Sequence, residues 1–376
     1  MAVAVVSEFN PFHNGHKYLL ETAKNITNEG VIAVMSGSFT QRGEVALTDK
    51  FTRAKTALNN GADLVIELPV VYAVSNAQRF ARCGVEIAKA FDCVNYLAFG
   101  CENDDVDELI KASKAIENQE VKLKINEEMK NGNYYPRAVE YAVRSVFGDK
   151  TADILTSPNN ILAVEYLRNL TDKIKPLPIM RKGVEHDSTV TSENIASASQ
   201  IRALLRNEKI AESFLPEIPT QITYTENLEL ITLYKLRSMT SEDFAKLPDV
   251  NEGLENRIYE AVNKYNSIKE IIEAVKTKRY THARIRRIIT CALLGITEQM
   301  QNSDVNYARV LGFTSEGAKM LKECKLEVVT SVAKALKNEN IRDMLEKDVY
   351  ATDISALAYN KMLDKGIDFT TPIIKC

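Results

Sequence analysis

The feature that most constrains this chain is a series of short, almost unbroken apolar runs separated by helical periodicity across its first hundred residues. Residues 2–6, 31–35, 64–68 and 96–99 lack the apolar–polar alternation of a strand with one wet face. Runs of this kind belong to strands buried on both faces, and so to a parallel sheet. Between them the apolar positions recur with the period of a helix, first through Tyr18, Leu19, Leu20 and Ala23, then over 51–58 and 77–90. This βαβα rhythm predicts a doubly wound α/β domain.

Residues 105–147 read as charged helices inserted over one sheet edge. A helix opens at Pro158, and a further strand is expected at 174–180. Beyond residue 218 strand signals fade, and 228–236, 258–262, 268–275, 285–294, 318–321 and 328–336 read as helices. Pro216 and Pro219 interrupt the pattern. The expected organisation is therefore a parallel-sheet domain at 1–214 followed by a mainly α-helical domain at 220–376. A chain of 376 residues that is 45% hydrophobic can fill two cores.

Composition narrows the partners. The net charge is −3, so contact with nucleic acid requires a local basic patch. The six cysteines form no CxxC, which suits free thiols in a reducing cytoplasm rather than disulfides or zinc. The apolar start has no basic n-region and reads as a strand rather than a signal peptide. No apolar run approaches the ~18 residues of a membrane helix. The expectation is a cytoplasmic protein.

The chain has four histidines, and His13 and His16 lie within one helical turn immediately after the first strand. A helix N-terminus presents free N–H groups and partial positive charge, so it attracts phosphate. Gly15 lets a nucleotide approach the backbone, and two imidazoles can donate to a polyphosphate and stabilise departing pyrophosphate. Ser36-Gly37-Ser38-Phe39-Thr40-Gln41-Arg42-Gly43-Glu44 follows the second strand. Ligands of open α/β sheets bind beyond the strands' carboxyl ends, which makes Ser36, Ser38, Gln41 and Arg42 candidate contacts for a phosphate or a carboxylate. Asp49, Lys50 and Arg53 are expected to add charge to the same crevice. Gly100 ends another strand there, and Cys101 reads as a small packed residue. Ser197, Ser199 and Arg202 open a later helix and are candidate anion contacts as well. Lys276, Lys278, Arg279, Arg284, Arg286 and Arg287 make a basic stripe with no acidic residue between Glu273 and Glu298. Ile285, Ile288, Ile289, Ala292 and Leu293 would form the buried side, leaving Arg284 and Arg287 toward solvent. With Tyr280 and His282 interleaved, the stripe suits a nucleic-acid backbone.

These segments resemble a known family, the bacterial tRNA(Met) cytidine acetate ligases of the HxGH nucleotidyltransferase superfamily. The likeness rests on Glu8-Phe9-Asn10-Pro11-Phe12-His13-Asn14-Gly15-His16, on residues 36–44, and on Arg53-Ala54-Lys55 through Gly61-Ala62-Asp63-Leu64-Val65-Ile66-Glu67-Leu68-Pro69. Ser157-Pro158-Asn159-Asn160, Lys278-Arg279-Tyr280-Thr281 and Tyr307-Ala308-Arg309-Val310-Leu311-Gly312-Phe313 carry it across most of the chain. HxGH alone marks only the superfamily; the flanking runs are more specific. Ser38, Thr40, Val45 and Cys101 depart from the family's pattern.

The resemblance implies two steps: acetate attacks the α-phosphate of ATP, and the wobble cytidine of elongator tRNA(Met) takes the acetyl group from the acetyl-adenylate. It implies catalytic roles for His13 and His16. The implied ATP site contains Val6, Ser7, the run from Glu8 to His16, Lys17, Tyr18, Leu19, Gly100, Asn159 or Asn160, and Arg181, with Lys182 adding charge. Mg²⁺ is expected on the phosphates, with no protein ligand identified. Other readings of the same site are a nucleotidyltransferase making a dinucleotide-type cofactor, a carboxylate ligase acting on a small amine, and an RNA-binding adaptor with structural ATP.

Overall fold

The computed structural model describes residues 1–102, 105–181, 194–209 and 211–376. Its strands are β1 (Ala2–Ser7), β2 (Gly30–Ser36), β3 (Leu64–Leu68), β4 (Val94–Cys101), β5 (Lys175–Met180), β6 (Tyr307–Phe313), β7 (Glu327–Val329) and β8 (Ile374–Lys375). They form one sheet in the order β5-β4-β1-β2-β3-β6-β7, with β8 paired to β6. All pairings are parallel except β3 with β6.

Period-2 geometry divides β1 between two cores. Ala2, Ala4 and Val6 pack on one face with Ile32 and Val34; Val3 and Val5 pack on the other with Val31, Ala33 and Met35. This is the two-sided burial that the apolar runs require. From β1 the sheet grows outward through β2 and β3 on one side and through β4 and β5 on the other. The strand order thus reverses between β1 and β4, and a crevice opens beyond their carboxyl ends. Helix α1 (Asn14–Thr27) starts at that crevice, and α2 (Lys50–Asn59) follows β2. The inserted helices Val106–Glu117, Gln119–Lys130 and Tyr135–Phe147 appear where charge and periodicity place them.

The later half differs from its sequence reading. Helices Glu229–Arg237, Leu254–Lys264, Ile268–Val275 and His282–Leu294 share a separate apolar core that includes Leu236, Phe244, Ile258, Ile271, Ile285 and Ile288. Residues 307–375, however, return strands β6, β7 and β8 to the first sheet, so a break at 214–220 does not separate the sheet from the rest of the chain. The reason is electrostatic. Arg309 interrupts the apolar run of β6, yet it is buried because it pairs with Glu67 of β3 at 3.1 Å and with Asp368 at 2.8 Å. Residues 328–336, read as one helix, divide into the end of β7 and a short helix, Val332–Ala335. No described helix is long and apolar enough to cross a membrane.

Candidate active site

The turn from β1 to α1 is held from several directions. Phe9 adopts φ 47°, a left-handed conformation that is costly for a bulky side chain. Arg53 donates to the Glu8 carbonyl at 2.7 Å and Arg202 to the Asn10 carbonyl at 2.8 Å. Leu47 N–H donates to Asn10 Oδ1 at 2.7 Å, and Gln41 N–H to Glu8 Oε1 at 2.6 Å. The strained turn is therefore over-determined by its neighbours, as sites that must hold one geometry commonly are.

His13 is the N-cap of α1. Its Nδ1 accepts from Gly15 N–H at 3.0 Å, and His16 Nδ1 accepts from His13 N–H at 3.3 Å. A nitrogen that accepts cannot carry the proton, so each neutral ring bears its N–H on Nε2. The two rings stack with centroids 3.8 Å apart, and His16 meets Phe9 edge-on at 5.0 Å. Burial pushes the His13 pKa down to about 3, and the positive charges of Arg181 and Arg202 act in the same direction. Burial, His13 and Arg181 hold His16 well below the usual histidine range, opposed by the Pro11 carbonyl. In the free protein both are neutral donors at neutral pH.

A cavity of about 1010 Å³ opens beyond these rings. Its wall contains Val6, Ser7, Glu8, Phe9, Asn10, His13, Gly15, His16, Tyr18 and Leu19 from the first run. Gly100, Asn159 and Arg181 close one side; Gln41, Arg42, Ser197, Ser199 and Arg202 close another. Ser197 caps the helix Ala198–Arg206, and the Asn14 amide donates to the carbonyls of Asn194 and Ser213, both at 2.9 Å, tying this segment to the start of α1.

Several expected contacts lie elsewhere. Pro11, Phe12, Asn14 and Lys17 are outside the cavity wall, as are Ser36 and Ser38. Ser36 is fully buried, and Ser38 Oγ donates to Thr352 at 3.2 Å. Asp49 caps α2, Lys50 is fully buried, and Arg53 gives its guanidinium to the carbonyls of Glu8, Ser36, Gly37 and Thr48. These three fasten the scaffold and do not charge the crevice. Lys182 lies outside the described residues. Cys101 is buried, as a small packed residue would be.

Glu102, which composition alone did not single out, organises one side. Its N–H donates to Asn160 Oδ1 at 2.9 Å, and its Oε1 accepts from Asn159 and pairs with Arg181 at 3.5 Å. Its place one residue past the end of β4, beside Gly100, was the available signal.

The basic stripe is split. Lys276, Lys278 and Arg279 are exposed, and Arg279, Arg284, Arg286 and Arg287 line the same cavity as the histidines. Arg284 and Arg287 do not point to solvent. Arg284 donates to the Asp249 carbonyl at 3.0 and 2.6 Å and lies over the Tyr280 ring, while Arg287 stands 3.8 Å from the Asp249 carboxylate. Arg286 pairs with Glu44 of the loop after β2. Gly43 in that loop has φ 71°, and a Cβ there would stand 2.8 Å from the Arg287 backbone nitrogen, so the loop meets the helix His282–Leu294 backbone to backbone. The His13–His16 turn and the basic helix thus share one cavity.

The family model for HIGH Nucleotidyl Transferase matches residues 1–368. A Thermoanaerobacter sp. (strain X514) protein named tRNA(Met) cytidine acetate ligase is 38% identical, with 99% of each chain covered. This chain belongs to the tRNA(Met) cytidine acetate ligase family. A further member, from Caldanaerobacter subterraneus subsp. tengcongensis, is 37% identical over 100% of this chain and 99% of its own. The crystal structure of Thermotoga maritima TmcAL in its apo form I superposes with a TM-score of 0.90 at 31% identity, covering 100% of this chain and 99% of that one. The same protein bound with alpha-thio ATP gives a TM-score of 0.88 at 30% identity, with the same coverage. The family's doubly wound fold and its HxGH turn are therefore those described above.

Proposed function

We propose that this chain is a cytoplasmic ATP-dependent acetate ligase that forms acetyl-adenylate and transfers the acetyl group to the wobble cytidine of elongator tRNA(Met), giving N4-acetylcytidine. The observation that carries the reading is the single cavity joining the His13–His16 turn to Arg279, Arg284, Arg286 and Arg287. An enzyme making only a small cofactor has no need of a basic helix opening onto its nucleotide site. The relatives' name supplies acetate and tRNA, and the Thermotoga maritima protein bound with alpha-thio ATP supplies the nucleotide.

ATP would lie across the β1–β4 switch point, between the first turn of α1 and the group formed by Gly100, Asn159 and Arg181. His13 and His16, each with N–H on Nε2, donate to the β- and γ-phosphates and stabilise charge on leaving pyrophosphate. Such donors are already oriented and need no reorganisation during the reaction. Arg181 on one side of the cavity and Arg202 and Arg42 on the other supply positive charge. Acetate attacks the α-phosphorus in line with departing pyrophosphate. The mixed anhydride that results is reactive enough toward an amine that no covalent enzyme intermediate is needed. Among the described residues no group of three His, Cys, Asp or Glu side chains could hold a metal ion. Mg²⁺ would accompany the triphosphate, bound by phosphate and water. Residues 220–376 contribute the exposed Lys276, Lys278 and Arg279 to the tRNA backbone.

Release of labelled pyrophosphate from ATP, with and without acetate, tests the first step; acetylcytidine formed in added elongator tRNA(Met) tests the second. Acetate-dependent release followed by acetyl transfer is the expected result. Release that ignores acetate but responds to a phosphorylated metabolite would assign the site to cofactor synthesis.

A further inference from the structure

The second step leaves a proton without a destination. When the cytosine N4 lone pair attacks the acetyl carbonyl, a C–N bond forms, the C–O bond to AMP breaks, and nitrogen must lose one proton in the course of the transfer. The overall change is amine plus acetyl-adenylate to amide, AMP and one proton. The exocyclic amine of cytosine is conjugated with its ring and weakly nucleophilic, so a positioned base accelerates this step, typically by 10²–10⁴-fold. Neither histidine is suited to it: each Nδ1 already accepts from the backbone and each Nε2 carries the hydrogen.

Five carboxylates line the cavity, namely Glu8, Glu44, Glu165, Asp249 and Glu298. Glu44 is paired with Arg286, Glu165 with Arg168, Asp249 with Arg79 and Arg287, and Glu298 with Arg79. Glu8 alone among the five makes no ion pair with the described residues. One oxygen accepts from Gln41 N–H at 2.6 Å, which fixes the carboxylate, and the other is not committed to a hydrogen bond among the described residues. The Glu8 main chain is clamped by Arg53 on the other side, and Phe9 at φ 47° sets the turn from Glu8 toward the histidines.

We propose that Glu8 is the general base of acetyl transfer, taking a proton from cytidine N4 as the amide forms and releasing it to solvent after AMP departs. The assignment rests on the ligase reading above. The groups facing Glu8 agree with it. Arg202 of the helix Ala198–Arg206, Arg42 of the loop after β2 and Arg53 of α2 favour the carboxylate, while burial is the larger influence and raises its pKa. Tyr166 of the helix Pro158–Asn169 is buried close enough to feel the Glu8 charge and stays protonated. A base shifted toward neutrality accepts a proton from nitrogen more readily than an ordinary exposed glutamate.

The test is Glu8→Gln, which keeps the carbonyl that accepts from Gln41. Acetate-dependent ATP–pyrophosphate exchange and single-turnover transfer from preformed acetyl-adenylate to tRNA(Met) are measured separately across pH, with a thermal melt to establish folding. Transfer is expected to fall by about 100-fold or more, several times further than exchange, and to lose the acidic limb of the wild-type pH profile. Glu8→Asp, which restores a carboxylate one methylene short, should recover part of the rate and the limb. Equal loss of both half-reactions, or transfer that keeps the acidic limb in Glu8→Gln, overturns the assignment. Absence of acetyl transfer by the wild-type protein overturns the ligase reading itself, and the role of Glu8 with it.

Discussion

Gly15 lies directly beneath the His13 ring: a Cβ at position 15 would stand 2.8 Å from His13 Cε1 and 3.0 Å from Nδ1. The glycine between the two histidines therefore has a steric role within the turn. It leaves room for the imidazole to fold back and cap its own helix through the Gly15 N–H. A side chain there would push the His13 ring out of its place in the cavity wall.

Gly15→Ala separates activity from stability. Alanine in a helix is favoured over glycine by about 0.5–1 kcal/mol, so the fold should be nearly unaffected or slightly stabilised. Acetate-dependent pyrophosphate exchange should fall by about 100-fold, the scale of losing a preorganised donor. Exchange kinetics beside a thermal melt check both halves. A variant that melts normally and exchanges at the wild-type rate would remove the ring-positioning account.

The neutral state of His13 makes stability depend on pH. Its pKa is 6.5 in an unfolded chain and is held down to about 3 in the fold. Between those values the unfolded chain binds a proton that the native protein does not. The stability contributed by neutral His13 is thus complete above pH 6.5 and is lost progressively as pH falls toward 3. His13→Gln should flatten the acid side of the curve, by at most about 1.4 kcal/mol per pH unit for one group. Urea unfolding of both proteins from pH 7 to pH 4 measures the difference, and parallel curves would contradict it.

Lys50 carries a different weight. Its Nζ lies 2.9 Å from both oxygens of Glu67 and 3.0 Å from Asp368, in a buried network that Arg309 completes. Removing one partner of a buried set leaves uncompensated charge, at a cost of about 3–5 kcal/mol. Lys50→Met should lose stability on that scale in denaturant titrations. Because Asp368 and β6 are fastened through the same network, the C-terminal strands should lose amide-exchange protection first.

Much of the site was legible because its residues are neighbours in sequence. His13, Gly15 and His16 occupy one helical turn, so the spacing that suggests a phosphate site is the spacing that builds it. Gly100 was legible as the end of a strand at the same crevice, the resemblance added Asn159 and Arg181 as ATP contacts, and strand order brings them together: β4 ends beside β1, and β5 beside β4. What the sequence misassigned was charge. Arg53, Lys50, Arg284 and Arg287 each looked available to a ligand, and each is occupied by a carbonyl or carboxylate from a distant segment.

By itself, then, the sequence determined the buried parallel strands, the helix start that carries His13, Gly15 and His16, and the existence of a basic stripe. Those depend on local periodicity and on residue types a few positions apart. Tertiary structure decided which charges are free. Lys50 and Asp368 are 318 positions apart, and Arg286 meets Glu44 across 242. A charged side chain's role depends on whether a partner reaches it before solvent or ligand does, and only the folded chain brings partners so far apart to within 3–4 Å. The same rule set Glu8 apart: it became a candidate base once every other carboxylate around the cavity had found its cation.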